Sequence, residues 1–210
     1  MENEYFKIFD EDRNEIGVAS RRDVHKFGHW HETFHCWFVT KHKDTDYIYL
    51  QLRSDSKEDY PNLLDITVAG HLTADETVQD GVREIKEEVG IDVPFNDLEQ
   101  LGIIEYCVTK EEFIDKELAH VFLYKSEHNL NDFNVQSDEV SGMVIAKFKD
   151  FSELWLGERE TIEVSGFKTD KEGNRGTYVD NVGRDKFVPH QIPFYKEVIE
   201  KIKEKITVII

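Results

Sequence analysis

The sequence predicts a mixed α/β domain, with one sheet between helical layers. Short runs of apolar and β-branched residues recur along the chain, as in YIYLQL at 47–52 and HVFLY at 120–124, and such runs are typical of strands. Two longer segments, 77–90 and 193–206, instead repeat apolar residues at helical spacing. A chain of 210 residues can build one well-formed core, so we expect a single domain over 1–210.

The first part of the chain is predicted to form strands around a histidine-rich segment. Residues 5–9 alternate apolar and charged side chains up to a turn at 12–14, and residues 16–24 are expected to continue as strand or extended chain. Residues 34–41 alternate as a strand buried on both faces does. Four histidines stand at positions 25, 29, 31 and 35. Their spacing matches none of the common zinc patterns, so most are expected to be packing or surface residues.

The segment Gly70–Ile91, GHLTADETVQDGVREIKEEVGI, carries the clearest chemical pattern. Glu84, Glu87 and Glu88 fall within one arc of a helix. A separate apolar stripe is formed by Val78, Val82, Ile85 and Val89. Like charges at this spacing destabilise a bare helix, whereas Mg²⁺ takes oxygen ligands and shares them with substrate phosphates. On their own, these acids are also typical of a solvated surface, and the flanking residues decide between the two interpretations.

Local signals mark both ends of this helix. Thr77, with Asp80 three residues later, is a plausible start, and Gly90 is the expected stop. Arg83 lies four residues before Glu87 and is expected to hold its carboxylate.

The remaining elements follow the same two periods. Strands are predicted at 47–52, 65–69, 97–107, 120–124 and 143–148, a turn at 110–116, and helices at 151–156 and 193–206. The polar, Gly-rich segment 157–186 contains a hairpin turn at 171–176. This segment is not needed for the sandwich; a lid and a dimer contact stay open, and we expect a surface extension.

Composition limits the class of protein. A formal net charge of −18 argues against nucleic acid or an anionic membrane as a partner. No apolar run is long enough to span a membrane, and the first residues lack the apolar region of a signal peptide. The two cysteines, Cys36 and Cys107, suit a reducing compartment, so we expect a cytoplasmic protein.

The pattern of Gly70, Glu76 and R-E-I-x-E-E-x-G-I closely resembles the Nudix box, G-x5-E-x7-R-E-U-x-E-E-x-G-U, where U is aliphatic. The resemblance implies the Nudix α/β/α sandwich and Mg²⁺-dependent hydrolysis of a diphosphate bond, with Mn²⁺ as an alternative ion. One position departs from it, because six residues separate Glu76 from Arg83 where the family has seven. We interpret this as a deletion at the junction between loop and helix, where a shortened turn costs least.

A second resemblance extends from about residue 4 to the C-terminal helix. The segments DEDRNEIGVASRRDVHKFGHWHETFHCWFV and YLQLRSDSKEDYP look like the Nudix subgroup close to isopentenyl-diphosphate isomerase. The metal-binding residues of that isomerase match His25, His31, His71, Asp115 and Glu117, and its diphosphate-binding residues match Arg53 and Lys57. For each of these histidines a packing role stays open, and His29, His35 and His120 are expected to be structural.

One position separates this chain from that isomerase. The catalytic cysteine of the isomerase lies just before the Gly-His pair, and here Ala69 stands in its place. Alanine neither donates nor accepts a proton, and Cys107 is far along the chain. The box helix, which is usually degraded in the isomerases, is intact here, so both facts favour hydrolysis.

The Nudix resemblance assigns roles to individual residues. The expected metal ligands are Glu84, Glu87, Glu88 and Gly70. The residues expected to bind the substrate are Arg53, Lys57, His71, His31 and Glu117. One of the box glutamates, or the loop acid Glu139, would take the proton from the attacking water. Arg83 would orient Glu87.

The expected partner is a small-molecule diphosphate, either linked to a nucleoside or carrying an isoprenoid or other organic group. Two alternatives stay open: an isomerase of isopentenyl diphosphate, and a non-catalytic ligand-binding module with the Nudix fold. A homodimer is also left open.

Overall fold

An eleven-stranded mixed sheet forms the centre of the computed structural model, which describes residues 4–57, 59–110, 113–170 and 172–206. The strands are β1 (Tyr5–Phe9), β2 (Glu15–Ser20), β3 (Trp30–His42), β4 (Thr45–Arg53), β5 (Leu64–Asp65), β6 (Val68–His71), β7 (Glu99–Lys110), β8 (Phe113–Lys125), β9 (Val140–Lys147), β10 (Ile162–Thr169) and β11 (Arg175–Val182). The α-helices are α1 (Arg21–Phe27), α2 (Arg83–Val89), α3 (Phe148–Leu156) and α4 (Ile192–Ile206).

Strand β3 organises the sheet. The main order is β11-β10-β9-β4-β3-β1-β2, while β6 and β8 also pair with β3, β5 pairs with β4 and β7 pairs with β8. The β3–β8 pair is parallel, and the other strand pairs are antiparallel. Because both β6 and β8 pair with β3, their side chains lie next to those of β3 on each face of the sheet.

Two apolar cores cover the two faces of the sheet, which confirms the predicted α/β/α sandwich. On one face, Ile85 and Val89 of α2 pack with Phe34 and Cys36 of β3. On the other face, α3 and α4 pack against Trp37 and its neighbours. Consecutive residues of a strand point to opposite faces, so the alternation predicted for β3 assigns its odd- and even-numbered side chains to different cores.

The C-terminal region extends the sheet and covers one face. Strands β10 and β11 form an antiparallel hairpin that pairs with β9. The predicted amphipathic helix is α4, which buries the side chains of Phe194, Val198, Ile199 and Ile202.

Three local predictions were wrong in part. Residues 21–24 were expected to be extended but begin α1, where the Ser20 side chain caps the helix by accepting from Asp23 N. The helix predicted from Thr77 begins instead with a 3₁₀ turn at Asp80–Val82. The turn predicted at 110–116 overlaps two strands, since β7 reaches Lys110 and β8 starts at Phe113. Residues 111 and 112 lie outside the described ranges, and Asp115 is buried within β8.

Candidate functional site

The box helix α2 is placed by its apolar side and by its C-terminal cap. Ile85 and Val89 are fully buried under the sheet. Gly90 adopts the left-handed conformation at φ 74°, and its N–H donates to Lys86 O. This is the stop that the sequence predicts, and it fixes the direction in which the three box glutamates point.

Arg83 connects the first acid of the box to the acids of the helix. It contacts both carboxylate oxygens of Glu76, with Nη2 2.9 Å from Oε2, and its Nη1 lies 2.8 Å from both Glu84 Oε1 and Glu87 Oε2. The hydrogen bond from Arg83 lowers the pKa of Glu76 to about 2. Glu76 therefore meets Arg83 although the intervening segment is one residue short, and the predicted Arg83–Glu87 contact is present.

Gly70 leaves the space that Glu84 occupies. A Cβ atom at position 70 would overlap Cδ and Oε1 of Glu84, so the backbone of β6 passes directly against this carboxylate. Burial raises the pKa of Glu84 to about 7, and the charge of Glu87 adds to that rise, while Arg83 opposes it. The site therefore holds a carboxylate that is poorly compensated when it is charged.

Glu88 is the most buried of the three box acids. Its Oε2 accepts from Gln51 Nε2 at 3.1 Å and from the backbone N–H of Ala69 at 3.3 Å. Burial raises the pKa of Glu88 well above its usual value, and Glu84 adds to the effect. A cation beside these two carboxylates would remove the cost of charging them.

The donor set of the box fits a hard divalent ion. Three carboxylates and the peptide oxygen of Gly70 offer oxygen ligands only, which is the set that Mg²⁺ and Mn²⁺ prefer. Glu87 is half-exposed, so its side chain can turn from Arg83 toward such an ion. We conclude that these residues could hold the ion the sequence predicts.

Two predicted substrate-binding cations are already paired with acids. Lys57 Nζ contacts Glu139 Oε2 directly. Arg53 Nη1 donates to Asp65 Oδ2 at 2.9 Å, and its other guanidinium nitrogens donate to the carbonyl oxygens of Asp59 and Tyr60. To bind an incoming phosphate, each cation would have to contact it in addition to its present acceptor or exchange that acceptor for it.

A second group of ligand-type side chains lies on the opposite face of the sheet from α2. It consists of His25, His31, His71 and Asp115, and one ligand atom from each lies within 4.8 Å of the others. No other such set occurs in the described ranges. The four come from α1, β3, β6 and β8. We call them the histidine cluster.

Hydrogen bonding leaves this cluster ready to bind an ion. His25 Nδ1 donates to Arg21 O at 2.8 Å and His31 Nδ1 to His29 O at 3.1 Å, so the Nε2 atoms of both rings face the cluster. The Nε2 atoms of the three cluster histidines and Asp115 Oδ1 have no hydrogen-bond partner within the described part of the chain. His25 Nε2 and His31 Nε2 each lie 3.5 Å from Asp115 Oδ1. Converging buried atoms without hydrogen bonds fit a metal ion of the type that imidazole prefers.

Burial keeps two of these rings neutral. It lowers the pKa of His31 to about 4 and that of His71 well below its usual value. A neutral imidazole is the form that binds a metal. The sequence resemblance therefore matched four side chains that the fold does bring together.

Glu117, the fifth residue matched to the isomerase metal site, lies outside the cluster. Its Oε2 accepts from Thr33 Oγ1 at 3.0 Å and lies 3.1 Å from His35 Nε2. Burial raises the pKa of Glu117 well above its usual value. His35 and His120 are buried and paired with acids, Glu117 and Glu32 respectively.

Neither cysteine thiol shares the face of the sheet on which the Ala69 side chain lies. In register, Ala69 pairs with His35 and packs against the core under α4, whereas Cys36 points to the opposite core under α2. Cys107 follows Tyr106, whose side chain faces that of Asp115, so the alternation of β7 turns the Cys107 thiol away. The alanine is therefore not compensated by a thiol from elsewhere.

Sequence reasoning missed several buried polar residues. Asp65, Gln51, Tyr106 and His190 all lie among the site residues, and His190 Nε2 is 3.1 Å from Asp65 Oδ1. A separation of 125 residues between these two partners leaves no local pattern to find.

The comparison with known families agrees with the geometry of the box. The family model that describes the Nudix domain matches residues 29–164. The chain belongs to the Nudix family. An uncharacterized Nudix hydrolase from Clostridium acetobutylicum is 36% identical over 209 residues, which cover 97% of this chain and 99% of that protein.

Two further Nudix-related comparisons are more distant. Isopentenyl-diphosphate Delta-isomerase 2 of Photorhabdus laumondii is 28% identical over 122 residues, 58% of this chain and 66% of that protein. A crystal structure from Deinococcus radiodurans matches with a TM-score of 0.53 and 18% identity, over 70% of this chain and 85% of that one. The second match shows the fold alone. None of the described helices is long and apolar enough to cross a lipid bilayer.

Proposed function

We propose that this Nudix chain hydrolyses a diphosphate bond in a small organic diphosphate, using a divalent cation at the box. The observation that carries the proposal is the intact box: Glu84 and Glu88 are buried carboxylates with raised pKa values, and Gly70 packs against one of them. The near full-length similarity to a protein named as a Nudix hydrolase supports it.

In this proposal the box residues divide into holding and positioning groups. Glu87, Glu88 and the carbonyl oxygen of Gly70 would hold the cation, with Glu84 as a further oxygen donor. When bound, a divalent ion such as Mg²⁺ offsets charge on the phosphoryl oxygens and makes a water more acidic. Arg83 positions the carboxylates of Glu84 and Glu87 through its Nη1.

Hydrolysis also needs a group that removes a proton from the attacking water. The water oxygen bonds to phosphorus, the bond from phosphorus to the leaving phosphate oxygen breaks, and the water proton passes to a base. Glu84 is one candidate, because burial in the ion-free site raises its pKa to about 7 and a general base works best near the operating pH. Glu139 is the other candidate, but Lys57 already neutralises it.

The isomerase alternative is disfavoured by Ala69, because its methyl group cannot transfer a proton and neither cysteine replaces it. The alternative of a non-catalytic binding module is disfavoured by the complete set of box acids. The histidine cluster is compatible with each of these functions, since an ion there could also bind a diphosphate.

A phosphate-release screen of the purified protein tests the proposal. The panel would contain nucleotide sugars, dinucleoside polyphosphates, nucleoside triphosphates, thiamine diphosphate and isoprenoid diphosphates, each with Mg²⁺, with Mn²⁺ and with EDTA. We expect release that depends on the ion and rises at mildly alkaline pH, because a divalent ion makes a bound water more acidic. Full activity after EDTA and dialysis, or no release from the whole panel, would refute the hydrolase.

A further inference from the structure

Buried titratable groups continue along the sheet beyond the histidine cluster, where the His35 and His190 rings pack on Phe194 of α4. His35, Asp65 and His190 are each more than nine-tenths buried. Neither the box nor the histidine cluster uses them. Burying so many polar groups is unfavourable unless each finds a partner, so unpaired atoms among them indicate a bound molecule.

Asp65 fixes the orientation of the His190 ring. The carboxylate accepts from Ile66 N at 2.8 Å and from Arg53 Nη1 at 2.9 Å, and His190 Nε2 lies 3.1 Å from it. Burial works against the charge of Asp65, but the hydrogen bond from His190 and the charge of Arg53 lower its pKa to about 2. An ionised carboxylate only accepts, so His190 Nε2 must carry the proton.

The opposite nitrogen of His190, Nδ1, is left without a hydrogen-bond partner among the described residues. In a neutral ring protonated at Nε2, Nδ1 carries a lone pair. This atom is buried, and within the described ranges nothing bonds to it. The segment that carries His190 is held to β5, because Val188 N donates to Leu64 O at 2.9 Å. The His190 ring packs on Tyr106 and Phe194, with 5.0 Å between centroids in each pair.

His35 presents a second buried ring nitrogen without a partner. Its Nε2 lies 3.1 Å from Glu117 Oε2, while its Nδ1 is buried and also lacks a partner among the described residues. The His35 and His190 rings are 6.4 Å apart between centroids. His35 is directly opposite Ala69 across the β3–β6 pair, and such neighbours share one face of the sheet. The backbone N–H of Ala69 donates to Glu88 Oε2, so this position also touches the box.

We propose that His190 and His35 form a recognition wall beside Ala69, whose Nδ1 atoms hydrogen-bond polar groups on the organic part of the diphosphate substrate, with His190 accepting from a hydroxyl or N–H group. The proposal rests on the proposed function, which supplies the diphosphate. Asp65 is its positioning residue, because it decides which nitrogen of His190 accepts.

The wall selects between the two substrate classes that the sequence leaves open. A purely hydrocarbon group, such as an isoprenoid chain, would cover both Nδ1 atoms and leave them unpaired. Sites built to bond a polar group reject analogues that lack it far more strongly than apolar sites reject an added group. The wall therefore favours an organic group that carries donors, and it disfavours the isoprenoid diphosphates.

Binding of two analogues that cannot be hydrolysed tests this selection. Adenosine 5′-(α,β-methylene)diphosphate and geranyl methylenediphosphonate carry similar diphosphonate groups and differ in the donors on the organic part. Titration calorimetry with Mg²⁺ should show the adenosine analogue binding wild type at least ~10-fold more tightly, as expected for one or two hydrogen bonds.

Variants of the two kinds of histidine complete this test. His190→Phe keeps an aromatic ring but lacks the acceptor, and should lower the ratio of the two affinities by about 10-fold. His42→Phe, an exposed histidine at the β3–β4 turn, is the matched control and should leave the ratio unchanged. An unchanged ratio in His190→Phe, a wild type that prefers the geranyl analogue, or failure of both analogues to bind would overturn the proposal.

A spectroscopic measurement keeps the proposal testable if His190→Phe does not fold. In ¹⁵N NMR of the wild type, His190 should be protonated at Nε2 alone, and its Nδ1 resonance should shift when the adenosine analogue is added. A proton on Nδ1, or no shift on saturation, would refute the acceptor. Since neither analogue is hydrolysed, loss of the hydrolase proposal would show separately, as an absence of phosphate release from all substrates.

Discussion

Glu84 is a box acid whose ionisation depends on its surroundings. It lies between Gly70 and Arg83, and one cationic neighbour does not outweigh its burial. A bound cation and a change of pH therefore both act on the charge of the Glu84 carboxylate.

The first prediction concerns the pH dependence of stability without divalent ions. The pKa of Glu84 rises from 4.5 in the unfolded chain to about 7, so its contribution to stability is fully present below pH 4.5 and is lost as the pH rises through 7. The free energy of unfolding in EDTA should fall by up to about 3 kcal/mol more in wild type than in Glu84→Gln between pH 5 and 8.5. Parallel curves from urea unfolding of the two proteins would contradict this.

The second prediction concerns turnover. Glu87→Gln should reduce kcat by roughly 100-fold or more, because it removes a charged oxygen ligand, while the melting temperature stays close to wild type because the side chain is half-exposed. Asp92→Asn, a more exposed acid just beyond the helix, is the matched control and should keep full activity. A Glu87→Gln protein within a few-fold of wild type would place the metal site elsewhere.

Strand β6 connects the two sides of the site at the scale of a single element. Its four residues alternate, so Gly70 touches the box acid Glu84 while Ala69 and His71 face the other core and the histidine cluster. Because side chains alternate along a strand, neighbouring residues of β6 contribute to two different sites, the box and the histidine cluster.

The third prediction tests the close approach of β6 to α2. Gly70→Ala should push the Glu84 carboxylate aside and lower kcat by about 10-fold or more, since misplaced ligands lose much of their effect. In Gly176→Ala the added methyl would meet its nearest atom at 3.9 Å, so that variant should keep wild-type rates. Equal rates for the two variants would show that Glu84 does not need its observed position.

The elements differ in how far the sequence could predict them. Helix α2 and its stop at Gly90 were predictable because an apolar period and a cap act locally. The turn predicted at 110–116 extended too far, because Asp115 lies within β8 and is paired with His25 of α1 and His31 of β3. His190 and Asp65 could not be paired in advance, since only the folded chain brings β5 and the segment before α4 together.

At the scale of the whole molecule, the sheet separates two sets of ionisable groups. The box acids lie toward α2, whereas the histidine cluster and the recognition wall lie on the face of α4. Ala69 of β6 connects them, because its side chain packs on the α4 face while its backbone N–H donates to Glu88 Oε2 of the box.

The fourth prediction concerns the histidine cluster. Cobalt(II) should bind one equivalent at the cluster and give visible absorption bands, because three imidazole nitrogens and a carboxylate suit such an ion. His71→Asn should abolish these bands, and His42→Asn, an exposed histidine, should not. Bands that persist in His71→Asn would exclude the cluster as their source.

The fifth prediction concerns the isomerase alternative. Isomerisation adds a proton to one face of an alkene and removes one from the other, and Ala69 offers only a methyl group. Isopentenyl diphosphate with Mg²⁺ should therefore yield no dimethylallyl diphosphate by NMR in deuterated water. Formation of that product in proportion to enzyme concentration would make isomerisation the better assignment.

The origin of the histidine cluster in four elements has a mechanical consequence. Residues 25, 31, 71 and 115 belong to segments that the unfolded chain would leave free to drift apart. An ion held by all four would act as a cross-link, closing loops of roughly 40 residues and reducing the entropy of the unfolded chain. The same ion would then also fasten helix α1 to the sheet.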